Sequence, residues 1–65
     1  MVIHEYVEID VEVIHLTPQA VFVSDGDIVE WVPLSQIKED ITEDEINSTI
    51  TIQLRRWIAE AKGFI

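Results

Sequence analysis

The chain has 65 residues, 48% of them apolar, with no cysteine. A chain this short buries only about 60% of the surface its unfolded form exposes, so residues 1–65 make one domain that depends on a compact apolar core or on self-association, with no disulfide or thiolate zinc cluster to help. Thirteen acidic residues against four basic ones give a net charge of −9: residues 1–45 carry −11 (twelve acids and Lys38), while residues 46–65 carry +2 (Arg55, Arg56 and Lys62 against Glu60). This balance argues against direct binding to nucleic-acid phosphates or anionic membranes and makes a basic protein surface the expected partner.

In chain order, Val7, Ile9, Val11 and Val13 alternate with Glu8, Asp10 and Glu12, the pattern of a strand buried on one face. The phase slips at Val13-Ile14, which predicts a β-bulge or bend and a change of face there. Thr17-Pro18-Gln19 reads as a turn and Ala20–Val23 as a central strand. Asp25-Gly26 predicts a hairpin turn with positive φ angles, returning the chain as a strand over 28–32. Trp31-Val32-Pro33-Leu34-Ser35-Gln36 then marks a structural corner, because proline ends a strand and Ser-Gln begins a turn.

Residues 38–45 are acidic enough for a solvated loop, although Thr42 and Glu45 fit a capping box around a short helical turn. Ser48–Leu54 alternates again, with Ile50, Ile52 and Leu54 inward, as a closing strand. Leu54, Trp57, Ile58 and Ala61 follow helical spacing, and Gly63 is placed to cap a short C-terminal helix. The expected fold is mainly β: a small, strongly bent antiparallel sheet, an SH3-like half barrel, with a short C-terminal α-helix. Trp57 is expected in the core. Trp31 is expected to pack in the core or across the sheet, with a partner anchor as the alternative. Arg55 and Arg56 oppose the dipole of the helix they begin, so pairing with Glu43, Asp44 or Glu45, or with an external anion, is expected.

No site chemistry is expected. His4 and His15, with Glu5 or Asp10, fit no recurring zinc spacing, and Asp25, Asp27 and Glu30 lack the calcium-loop pattern, so neither metal nor cofactor is implied. Ser35 with either histidine lacks a nucleophile elbow or oxyanion hole, so no enzymatic activity is expected. Asn47-Ser48-Thr49 is a chance glycosylation sequon. No apolar run approaches the ~20 residues that cross a bilayer, and the start lacks a signal-peptide pattern, so a cytoplasmic protein is expected.

Asp25-Gly26, the Trp-Val-Pro-x-Ser-Gln motif at Trp31–Gln36, and Trp57-Ile58-Ala59 with Lys62-Gly63 resemble a group of small proteins encoded by bacteriophages and prophages. The resemblance covers Val11 to Ile65 and supplies no catalytic residues. It implies a phage accessory protein, cytoplasmic in the host during infection, acting on nucleic-acid metabolism or host defence. The stretch 39–45 lies outside the shared pattern.

The function expected is therefore non-enzymatic binding of a basic protein partner, such as a host nucleic-acid-binding protein, through an acidic face. Glu8, Asp10, Glu12, Glu30, Glu39, Asp40, Glu43, Asp44 and Glu45, with Trp31, are the candidate contacts. A row of carboxylates ~6.6–6.8 Å apart on one strand face also suits an inhibitor that imitates a nucleic-acid backbone. The duller explanation of the same row is a solvated face that guards an edge against aggregation. The alternative function is a structural or oligomerising module, a homodimer for example, whose acidity serves solubility.

Overall fold

The apolar–acidic alternation of the N-terminal third folds as the pattern predicts. The computed structural model describes residues 5–65, and β1 (Tyr6–Leu16) buries Val11 and Val13 while exposing Glu8, Asp10 and Glu12. β2 (Ala20–Ser24), β3 (Val29–Pro33) and β4 (Thr49–Arg55) complete a four-stranded antiparallel sheet of order β3-β2-β1-β4. α1 (Arg56–Lys62) follows β4 directly. The mainly β architecture with a short C-terminal helix and a central β2 is thus established, while the sheet is neither closed nor strongly curled.

β1 spans two half-sheets. Its Tyr6–Glu12 portion pairs with Thr49–Arg55 of β4, and Glu12–Leu16 pairs with Val21–Ser24 of β2. Ile14 is the extra residue of a bulge between Val13 and His15. After it, Leu16 packs against the core opposite Val21, and His15 lies outward opposite Phe22, the change of phase expected from the sequence.

The inner face carries Val11, Val13, Val21, Val23, Val32, Ile52 and Leu54, all essentially inaccessible to solvent. Ile58 and Ala59 of α1 join this core, as do Ile37, Leu34, Ile41 and Ile46 from the connection between β3 and β4. That connection turns at Pro33 into a 3₁₀ turn, Leu34–Gln36, and then crosses to the far edge. There Ile37 forms a bridge with Leu54, and the Lys38 N–H donates to the Gln53 carbonyl at 2.9 Å. The segment 38–45 is more than a solvated loop: Glu43–Glu45 forms a 3₁₀ turn, and the Thr42 N–H donates to Glu45 Oε1 at 2.8 Å, as a capping box requires.

Both tryptophans lie outside the core. Trp57 is 59% exposed rather than in the core. Counting helical spacing from Leu54 carries the phase across a strand–helix junction, whereas the helix begins afresh at Arg56 and buries Ile58 and Ala59. Trp31 is also not in the core but packs across the sheet, the other placement expected of it: it stands outward on β3, 41% exposed, against Phe22 and His15. The hairpin departs in detail, since four residues separate β2 from β3 and, of Asp25-Gly26, only Gly26 has a positive φ, +103°.

Gly63 caps α1 at φ +86° as expected. Its N–H donates to the Glu60 carbonyl and that of Phe64 to Ala59, the pairing of a Schellman motif.

Candidate functional site: the outer face of the sheet

Helix α1 and the apolar residues Leu34, Ile37, Ile41 and Ile46 of the connection pack on the inner face, and the charged and aromatic side chains of β1 stand on the other. Register places residues there row by row. Glu8 faces Gln53, Asp10 faces Thr51, and Glu12 lies between Thr49 and Ser24. All three acids are exposed, and Asp10 Oδ1 accepts the Thr51 hydroxyl hydrogen.

The two ends of this face differ. Above the acids, His15, Phe22 and Trp31 form an aromatic cluster: Phe22 lies 5.0 Å from Trp31 between ring centroids, and His15 meets Trp31 edge-on at 5.9 Å. Below them, Tyr6 lies under two cations, with Lys38 Nζ 5.9 Å and the Arg55 guanidinium 5.4 Å from its ring centroid. Sequence patterning gave no warning of the aromatic cluster. It becomes readable only after the bulge has reset the faces, when His15 and Phe22 fall on the side of Trp31.

The other candidates scatter. Glu30 pairs in register with buried Val23, so it lies on the helix side of the sheet, 3.6 Å from Lys62 Nζ. It does not join the row of Glu8, Asp10 and Glu12. Glu39 is engaged in structure, its carboxylate accepting from the Gln53 N–H at 2.8 Å, and Glu45 closes the capping box. Asp40, Glu43 and Asp44 are exposed on the connection between β3 and β4. Arg56 pairs with Glu5, not with the 43–45 turn, while Arg55 lies over Tyr6.

At the hairpin tip, Asp25 Oδ1 accepts the N–H groups of Asp27 and Ile28 at 2.8 and 2.9 Å. These bonds, that from Ile28 foremost, hold the carboxyl below its ordinary pKa. An open groove of about 660 Å³ lies beside the aromatic cluster, lined by Pro18, Ala20, Trp31, Pro33, Leu34 and Lys62 among others.

Ser35 Oγ accepts from Gln36 Nε2, and the His15 ring contact is to Trp31. Among the described residues no three histidine or acidic groups converge as a metal site, and no helix is long and apolar enough to cross a membrane. His4, one of the sequence candidates for a ligand, lies outside the described residues. Comparison with family models, with curated proteins and with solved structures returns no significant match.

Proposed function

We propose that this chain is a non-enzymatic, phage-type accessory protein that binds a basic protein partner in the host cytoplasm through the outer face of its sheet. The observation that carries this reading is the composition of that face. Glu8, Asp10 and Glu12 stand exposed in one row, Asp10 also accepting the Thr51 hydroxyl hydrogen, and Trp31 is available on the same surface. Asp40, Glu43 and Asp44 are exposed and add negative charge to the surface, whereas Glu30, Glu39 and Glu45 already serve structural contacts. The phage attribution is supported by the resemblance at Trp31–Gln36 and Trp57–Gly63. The finer SH3-like half-barrel architecture belongs to the same proposal, supported by the Ile14 bulge and by the crossing from β3 to the Ile37–Leu54 bridge.

Such a face acts first on encounter. Complementary fields raise the association rate and lose strength as salt screens them. Replacing Glu8, Asp10 and Glu12 together by Gln, Asn and Gln should leave the fold intact and weaken capture of a basic protein from bacterial lysate, chiefly through slower association. Capture should fall with added salt, and competition by DNA or RNA would single out an inhibitor that mimics a nucleic acid. Equal capture by the folded triple variant would refute the acidic-row reading. Normal self-assembly of that variant with no host partner would favour the oligomerising module instead.

A further inference from the structure

β1 is a central strand over only part of its length. β2 ends at Ser24, opposite Glu12, and the chain turns away at Asp25–Ile28. Among the described strands, none pairs with residues 6–11 of β1 on the side away from β4.

The direction of the backbone groups follows from Val13. Its N–H donates to the Ser48 carbonyl at 3.0 Å and its carbonyl accepts from the Asn47 N–H at 2.7 Å, so Val13 faces the β4 side. Backbone direction alternates along a strand, so Ile9 and Val11 also face β4. The N–H and C=O groups of Glu8 and Asp10 therefore point to the unpaired side. These are strong hydrogen-bonding groups presented as a template for another strand.

We infer that this edge receives an extended segment of the basic partner, added to the sheet as a strand beside Tyr6–Val11. The inference rests on the basic-partner reading and specifies its binding mode. Along the added strand, alternate side chains would lie beside Glu8 and Asp10 on the outer face, where lysine or arginine is complementary. The intervening ones would lie beside Val7 and Ile9, which are only half-buried and welcome apolar neighbours. A hollow of about 290 Å³ at the end of the edge, lined in part by Asp10, Glu12 and Asp25, has room for one basic side chain. A second copy fits poorly, because antiparallel self-pairing centred on Ile9 sets Glu8 opposite Asp10 of the copy, and like charges directly opposite are destabilising. Strand addition of this kind takes affinity from main-chain bonds and specificity from alternating side chains.

The test uses two N-acetylated peptides of identical composition, one alternating lysine and valine and one with the same residues in blocks. Binding is followed by fluorescence anisotropy, and amide hydrogen exchange at Glu8 and Asp10 by NMR. The alternating peptide should bind at least about tenfold more tightly than the block peptide and slow exchange at both amides. Equal binding of the two, or binding without protection of those amides, overturns strand addition while leaving the acidic-face reading standing. Binding of neither also overturns strand addition, and the acidic-face reading is then decided by the capture experiment alone. A dimeric mass with both amides protected in the protein by itself would replace the foreign strand by a second copy.

Discussion

Gly26 carries a conformational demand and no steric one. At φ +103° it sits where side-chain-bearing residues are disfavoured, yet a Cβ added there would meet nothing within 4 Å. Gly26→Val should therefore cost about 1 kcal/mol or more, through backbone strain alone, as read from chemical denaturation. Unchanged stability would remove the strain from the account of the hairpin. Asp25 supplies the other half of the turn. A carboxyl held below its ordinary value of 3.8 by hydrogen bonds in the folded state contributes stability that is complete above that value and is lost as pH falls through the folded-state pKa. Asp25→Asn keeps an acceptor for the same N–H groups but forgoes the charge, so the effect should be mild. The difference in melting temperature between wild type and Asp25→Asn should be visible near neutral pH and close in acid below 3.8; a constant difference would deny the charge a part. Asn47 shows what a residue-level reading overlooks. It holds φ +71° in the turn before β4, where asparagine is among the residues that tolerate the left-handed region, but a sequon distracts from that meaning.

The strands were legible because each of their patterns has a single physical source, an inward face that must be apolar and an outward face free to be charged. Val11 and Val13, and Ile52 with Leu54, fall where alternation puts them. The bulge was legible for the same reason, as a break in the alternation. The helix was legible in extent and cap but not in orientation, since periodicity cannot tell at which residue a strand's period of two gives way to a helix's 3.6. This sets a contrast between neighbours. Ile58→Ala, at a buried position, should cost about 2 to 5 kcal/mol. Trp57→Ala, at an exposed one, should change stability by about 0.5 kcal/mol or less. Thermal or denaturant unfolding of the two variants settles the helix phase, and a reversed order would turn the helix over.

For the molecule as a whole, the excess of carboxylates should dominate the response to salt. The exposed pair of Arg56 with Glu5 and the half-buried pair of Lys62 with Glu30, 3.6 Å apart, contribute little individually, while the −11 in residues 1–45 repels itself in a compact state. Sodium chloride should therefore raise the melting temperature as the screening length contracts from about 10 Å at 0.1 M towards about 3 Å at 1 M. A steady fall would show that the attractive pairs prevail. Which acids form a common face was only partly legible: Glu8, Asp10 and Glu12 belong together by strand parity, but the parity of Glu30 depends on how β3 registers with β2, a fact of pairing rather than of sequence. Ile14 has a meaning for recognition as well as for folding. Val13, His15 and Leu16 face Val23, Phe22 and Val21 in order, so a chain lacking Ile14 could continue the same rungs unbroken. The inserted residue is then a hinge fixed at synthesis, setting the angle between the negative panel and the aromatic panel of one surface. A ligand that touches both panels must share that angle, whereas one that touches either alone would not notice the residue's removal.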